Sequence, residues 1–212
     1  MRQFRAPAPE MIQAKWHGGS QTPGLIVMHS MVTPCKEGMA DAVGHMFATE
    51  ATPTSAHYGV DPGAVRQYVG DHTVAYHCGY NDDSIGIEMA DYPGPVPNEK
   101  PGTARWKAAK RSWRWVRPEQ RKMLRNAAGL AAELCLAYDI PPVFCGAKRL
   151  LAWDRSGHRA SQGGITTHAL MSSTFHKSTH WDPGFWPRRW FMRLVRAEVK
   201  RQRKAANNTI KE

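Results

Sequence analysis

Residues 158–187 constrain the fold most, because they hold four of the chain's ten histidines and end in the sequence Asp182-Pro183-Gly184. Proline and glycine directly after Asp182 indicate a turn that holds the carboxylate in one direction. Imidazoles and a carboxylate held close together are typical ligands of zinc. Such a site needs a further ligand from elsewhere, so the fold has to bring a distant part of the chain to this segment.

His29 is the best candidate for that distant ligand. It follows the short apolar run Leu25-Ile26-Val27-Met28, which comes after a Pro23-Gly24 turn signal. This pattern predicts a buried strand with a histidine at its end. We therefore predict that His29, His168 and Asp182 bind one metal ion.

Composition limits the classes of protein to consider. The 212 residues are 42% apolar, which suits one globular domain with a substantial core. No apolar run approaches the roughly 20 residues that span a bilayer, and the N-terminus lacks the apolar region of a secretory signal. The four cysteines show no CxxC spacing, so we expect free thiols in a reducing cytoplasm. The net charge of +11 suits a polyanionic partner: nucleic acid, an anionic membrane or an anionic cell wall.

Short strands mixed with three helices predict a single α/β domain. The patterns predict strands at 25–29, 55–60, 64–69, 73–78, 84–90 and 143–145, with 55–69 forming a hairpin. They predict helices at 36–48, 118–138 and 187–205. We expect loops at 91–117 and over most of 154–182. The predicted organisation is an arm at 1–23, a catalytic domain at 24–187 and a basic C-terminal helix and tail at 188–212.

Glu88 is the candidate acid or base. It lies in the otherwise apolar strand Ile85-Gly86-Ile87-Glu88-Met89, so we expect its carboxylate to be partly desolvated and its pKa to be raised. Zinc enzymes commonly use three protein ligands and leave one position for water. A nearby carboxylate then acts as general base and later as general acid.

Taken in order, the segments resemble the zinc-dependent N-acetylmuramoyl-L-alanine amidases, the family that includes phage amidase endolysins, the cytoplasmic enzyme AmpD and the animal peptidoglycan recognition proteins. The resemblance covers about residues 24–187. It is carried by six blocks: Ile26-Val27-Met28-His29-Ser30, Ser55-Ala56-His57-Tyr58, Ala75-Tyr76-His77-Cys78-Gly79, Asn81-Asp82-Asp83-Ser84-Ile85-Gly86-Ile87-Glu88, Gly164-Ile165-Thr166-Thr167-His168 and Asp182-Pro183-Gly184.

The resemblance implies a central mixed sheet flanked by helices, with the zinc site at one end of the sheet. It implies that His29, His168 and Asp182 are the zinc ligands and that Glu88 is the catalytic acid and base. It further implies that His77 and Asn81 line the substrate cleft, although a structural role is as compatible with their positions.

Three departures from the AmpD-like pattern matter. The interval from His168 to Asp182 is long, so His158 and His176 are alternatives to His168 as a ligand. His180 stands where AmpD-like members carry lysine, and we expect it to stabilise the oxyanion. The loop 91–117 is longer and more basic than a minimal domain needs.

The expected function is hydrolysis of the amide between the lactyl group of N-acetylmuramic acid and the L-alanine of the stem peptide. A phage or prophage endolysin is the favoured role: it would be made in the host cytoplasm and would reach the wall after holin-dependent release. The basic surface would favour binding to the anionic cell envelope. The alternatives are a bacterial wall-recycling amidase and a non-catalytic peptidoglycan-binding module. Nucleic-acid binding is not expected, because no recognised motif accompanies the basic segments.

Overall fold

The computed structural model describes residues 9–91, 117–184 and 186–209. Its centre is a five-stranded mixed sheet formed by β1 (Leu25–Ser30), β2 (Tyr58–Val60), β3 (Val65–Gln67), β4 (Ser84–Met89) and β5 (Ile165–Thr167). The strand order is β3-β2-β4-β1-β5. Only the β2–β3 hairpin is antiparallel within this sheet, and the other neighbours pair in parallel.

Helices cover both faces of the sheet, which explains why β1 and β4 read as nearly continuous apolar runs. The α-helices of the described residues are α1 (Met39–Thr49), α2 (Pro118–Ala137), α3 (Ala147–Arg155), α4 (His168–Phe175) and α5 (Arg188–Thr209). The larger core cluster joins one face of the sheet to α2 and α5. A smaller cluster joins the other face, through Leu25 and Val27, to α3 and α4. Another packs α1 against segments that flank the β2–β3 hairpin. The predicted single α/β domain with a central mixed sheet flanked by helices is confirmed.

Three neighbouring parallel strands, β4, β1 and β5, end at the same edge of the sheet. In sheets of this type, ligands bind outside the carboxyl ends of the strands. His29 lies near the end of β1 and pairs in register with Glu88 on β4. The chain leaves β5 directly into α4, whose first residue is His168. The topology thus brings distant parts of the sequence to one edge.

The predicted strand at 73–78 is wrong. Only an isolated bridge between Ser20 and Thr73 forms there. Val74 exchanges backbone hydrogen bonds with the N-terminal arm, at Gly18 and Gly19. Alternating apolar residues suggested a strand, but the backbone pairs with this short segment instead of a sheet neighbour.

The predicted loop over 154–182 is also wrong for its central part, which contains β5 and α4. Glycine, serine and threonine made this stretch look irregular. Pairing with β1 nevertheless forms a strand, with Ile26 opposite Ile165. Thr167 then caps α4, because its side-chain oxygen accepts a hydrogen bond from the Leu170 N–H at 3.3 Å. Helix α3 was not predicted, and the expected strand at 143–145 is a single bridge from Phe144 to Ile165.

Two further sequence predictions concern the whole chain. All four cysteines are free thiols, as expected. In the ranges that the structure describes, no helix combines the length and apolar character needed to cross a membrane. Most of the predicted loop 91–117 lies outside the described residues.

Candidate metal centre and active site

Three side chains that the sequence singled out meet at the carboxyl edge of the sheet. The nearest ligand atoms of His29, His168 and Asp182 all lie within 4.8 Å of one another. The Nδ1 atom of His29 lies 3.2 Å from Oδ2 of Asp182, and Nδ1 of His168 lies 3.0 Å from Oδ1. All three residues are buried. This is the donor set and spacing from which a tetrahedral zinc site is built.

A turn at Asp182-Pro183-Gly184 holds the Asp182 carboxylate, as the sequence predicted. The Gly184 N–H donates to the carbonyl of Trp181 at 2.9 Å. The backbone carbonyl of Asp182 accepts from the Ala169 N–H, also at 2.9 Å, which ties the turn to the start of α4. Its side-chain Oδ2 accepts from the Ser30 N–H at the end of β1, at 3.2 Å.

A chain of hydrogen bonds leads from the turn before β4 to His29. The Ser84 hydroxyl donates to the carbonyl of Asn81 at 2.7 Å, so its oxygen is left to accept from Nε2–H of His77 at 3.0 Å. In a neutral imidazole the other nitrogen is then an acceptor. Nδ1 of His77 therefore accepts from Nε2–H of His29 at 2.9 Å. Burial lowers the pKa of His29 to about 4 and lowers the pKa of His77 well below its usual value, so both rings are neutral.

This chain of hydrogen bonds determines which ring nitrogen of His29 carries the proton, and therefore which atom faces Asp182. Because its proton is on Nε2, its Nδ1 carries a bare lone pair. That lone pair faces the carboxylate oxygen of Asp182 at 3.2 Å, which places two acceptors against each other. A cation between them resolves the conflict, so the residues fit a bound metal ion.

Gly86 makes room for the His77 ring. A Cβ atom at this position of β4 would lie 2.7 Å from Cγ and 2.9 Å from Nδ1 of His77. The ring therefore packs directly on the backbone of β4. This contact fixes the position of the His77 ring next to His29.

Glu88 lies beside the cluster on the neighbouring strand. Its Oε1 is 3.9 Å from Nδ1 of His29. Its Oε2 is buried and, among the described residues, has no hydrogen-bond partner. Burial, with a further contribution from Asp182, raises the pKa of Glu88 well above its usual value. An orphaned carboxylate oxygen beside a metal-ligand cluster is suited to accept and return a proton.

His180 lies on the solvent side of the cluster. Its ring stacks on that of His168, with centroids 4.7 Å apart and planes within 10°. Its Nδ1 is 3.9 Å from Oδ1 of Asp182, and 58% of its side chain is exposed. A group in this position can reach a substrate that approaches the cluster from solvent.

The alternative histidines lie elsewhere. His158 stacks on Trp153 at 4.2 Å and contacts Asp83 at 3.0 Å through Nδ1. His176 ends α4 in a left-handed conformation and is exposed. Within the described ranges, neither belongs to a cluster of metal-ligating side chains.

The ring nitrogens of His77 and the side-chain oxygen of Asn81 are engaged inside the protein. Both ring nitrogens of His77 have partners, and Asn81 Oδ1 accepts from the N–H groups of His77 and Cys78 at 3.0 and 2.8 Å. Asn81 therefore shapes the turn that carries His77.

Sequence reasoning missed two serines at the site. Ser84 orients His77, and Ser178 Oγ lies 3.0 Å from Nε2 of His168. In both cases the tertiary fold brings a serine hydroxyl next to a histidine ring. Serine is too common in turns for its position alone to have indicated this role.

Comparison with known proteins agrees with this geometry. The sequence profile described as N-acetylmuramoyl-L-alanine amidase matches residues 19–185. Among curated proteins no match was found.

Several solved structures share the fold. The Staphylococcus aureus hydrolase AmiA, solved in complex with its ligand, has a TM-score of 0.62 and 15% identity, covering 92% of this chain and 84% of AmiA. A mutant of PlyL has a TM-score of 0.52 and 18% identity, covering 89% of this chain and 98% of PlyL. A mutant endolysin from Bacillus subtilis has a TM-score of 0.51 and 18% identity, covering 90% and 94%. At these identities the structural likeness supports the fold, whereas the profile match spans most of the sequence. The chain therefore belongs to the N-acetylmuramoyl-L-alanine amidase family.

Proposed function

We propose that the protein hydrolyses the amide between the lactyl group of N-acetylmuramic acid and the L-alanine of the stem peptide. The observation that carries this proposal is the buried cluster of His29, His168 and Asp182 with the unpartnered oxygen of Glu88 beside it. A binding module would have no need of a desolvated carboxylate aimed at a metal-ligand cluster. Family membership supports the amidase reaction over other hydrolytic reactions.

His29 and His168, through Nδ1, and Asp182, through a carboxylate oxygen, would hold zinc. Zinc bound there would polarise the scissile carbonyl and acidify a water molecule. The chain's own residues would supply the remaining steps.

Glu88 would act first as the general base and then as the general acid. Burial raises the pKa of Glu88 above its usual value, so the carboxylate holds a proton more readily than an exposed glutamate would, as a general base that later acts as an acid must do. Oε2 would take the proton from the attacking water and then deliver it to the nitrogen of the leaving L-alanine. The proton would thus stay on one carboxylate between the two steps.

His180 would donate a hydrogen bond to the oxyanion of the tetrahedral intermediate. Its exposure and its stacking on His168 support a contact with substrate on the solvent side of the cluster. Preorganised donors of this kind act where negative charge develops in the transition state.

The contacts of His77 and Asn81 support a positioning role for both residues. Asn81 would hold the turn, and His77 would fix the tautomer and the ring orientation of His29. Such outer partners of metal ligands affect metal affinity strongly. Direct contact of these two residues with substrate stays a prediction.

The favoured biological role is that of an endolysin. The likeness to a Bacillus subtilis endolysin and the chain's net charge of +11 support action on an anionic envelope. A phage or prophage endolysin would reach the wall after release from the host cytoplasm.

The test is digestion of purified peptidoglycan by the zinc-loaded protein, followed by mass spectrometry. We expect intact glycan strands and stem peptides that begin with a free L-alanine amino group. A zinc-loaded, folded protein that binds peptidoglycan without releasing peptide would be the non-catalytic binding module instead.

A further inference from the structure

A strongly cationic groove lies along the first half of α5. Two adjoining pockets of about 600 and about 550 Å³ lie along the first half of α5 and share several lining residues. Thr167 and Gly184, close in sequence to His168 and Asp182, line the first pocket. We call this the arginine groove after the four cations that line it: Arg188, Arg189, Arg193 and Arg196.

Among the described residues, no carboxylate pairs with the charges of the arginine groove. The described residues that line the two pockets include no carboxylate. In the part of the chain that the structure describes, none of the four arginines forms an ion pair. The carboxylate of α5, Glu198, binds Arg201 and lines a different pocket. Like charges four residues apart, such as Arg189 and Arg193, weaken a helix, so helix stability does not account for this pattern.

The spacing of the cations favours a repeating anion. Arg189, Arg193 and Arg196 recur at intervals of four and three residues, so they share one face of α5. Along the helix axis, four residues advance by about 6 Å. A single carboxylate would engage one or two of these cations, whereas a flexible chain of phosphates can follow all of them.

The aromatic residues of the groove do not favour nucleic acid. The Arg188 guanidinium covers the Phe144 ring, with its carbon 4.3 Å from the ring centroid. Trp186 is buried and packs against Phe191 at 4.6 Å. Proteins that hold single strands stack bases on exposed aromatic rings. Two of the three aromatic rings in this groove are already engaged by protein groups.

We propose that the arginine groove binds a phosphodiester polymer of the bacterial cell envelope and so holds the enzyme next to its substrate. The choice of an envelope polymer rests on the proposed function. Because α5 belongs to the same domain as the metal centre, a polymer bound to it would keep the active site at the wall between cleavage events.

The probe is synthetic poly(glycerol phosphate), titrated into the intact protein over a series of salt concentrations without peptidoglycan. In the double variant Arg193→Gln/Arg196→Gln, we expect about fivefold weaker binding for each arginine removed, which corresponds to about 1 kcal/mol per cation near an anionic surface. The slope of log affinity against log salt should fall by about one for each removed arginine. The control is Arg203→Gln/Lys204→Gln, which removes the same charge from exposed positions of α5 outside the groove. It should retain the affinity of the unmodified protein.

Two results would overturn the proposal. Equal losses in the two double variants would mean that net charge, and not the groove, attracts the polymer. Tighter groove-dependent binding of single-stranded DNA with the same number of phosphates would make nucleic acid the occupant. Because binding is measured without hydrolysis, a protein that cleaves no peptidoglycan but binds the polymer through the groove would refute the amidase function alone.

Discussion

Replacing His77 tests whether the hydrogen-bond chain from Asn81 prepares His29 for metal. His77→Leu keeps much of the side-chain volume but removes both ring nitrogens. Nε2–H of His29, a residue only 1% exposed, would then lose its acceptor. The side chain of His77→Gln offers an acceptor oxygen and a donor N–H group, so this variant should retain part of the zinc affinity.

The magnitude follows from the contacts that are lost. A buried donor left without a partner costs about 1–3 kcal/mol. Loss of an outer partner of a metal-ligating histidine typically reduces metal affinity by about 10–100-fold. We therefore expect His77→Leu to bind zinc about 10–100-fold more weakly than the unmodified protein, with His77→Gln between the two.

The assay is competition for zinc between the protein and a chromophoric chelator, together with urea unfolding of the metal-free proteins. His45→Leu is the control, because His45 is an exposed histidine on α1 outside the site. Unchanged zinc affinity in a folded His77→Leu protein would refute the reasoning. Equal affinity in the Gln and Leu variants would show that packing, and not hydrogen bonding, is the contribution of His77.

Four further predictions concern single residues. His168→Ala should lose zinc measured by atomic absorption, whereas His158→Ala should keep it; the reverse pattern would make His158 the ligand. Glu88→Gln should keep zinc but lower kcat by about 10²–10⁴-fold, the usual contribution of a general acid or base, and near-normal kcat would remove Glu88 from proton transfer. His180→Ala should lower kcat by about 10²–10³-fold with little change in KM or zinc content, because an oxyanion donor acts mainly in the transition state; unchanged kcat would give His180 a structural role only. Gly86→Ala should lower the free energy of unfolding by about 1–3 kcal/mol through overpacking against the His77 ring, and a stability equal to that of the unmodified protein in urea would show that the ring moves aside freely.

Local sequence patterns predicted the parts of the fold in which local preference and tertiary packing agree. The apolar run ending in His29 became β1, and Glu88 lies in β4 as its apolar neighbours indicated. Pro118 begins α2, where the sequence predicted the start of a helix, and α2 buries Met123, Ala127 and Leu134 on the sheet. The turn at Asp182 was also predictable, because proline and glycine restrict the backbone there.

Tertiary contacts decided the parts that sequence reasoning missed. The short strand β5 contains two threonines and follows two glycines, so only its pairing with β1 distinguishes it from a loop. Residues 73–78 alternate as a strand would, yet their partner is the N-terminal arm. The contact of Ser84, at the start of β4, with His77 and the contact of Ser178, in the loop after α4, with His168 both depend on the tertiary fold. No local pattern encodes such partners.

In the proposed mechanism, the metal-ligand cluster and Glu88 hydrolyse the bond between muramic acid and L-alanine. The most direct measurement is digestion of purified peptidoglycan by the zinc-loaded protein in heavy-oxygen water, with mass spectrometry of both products and the zinc-loaded Glu88→Gln protein as the blank. The proposed mechanism predicts one heavy oxygen in the lactyl carboxylate of the muramic acid, none in the released alanine, and little product from the blank. Heavy oxygen at a peptide or glycan position, or equal product from the blank, would contradict it.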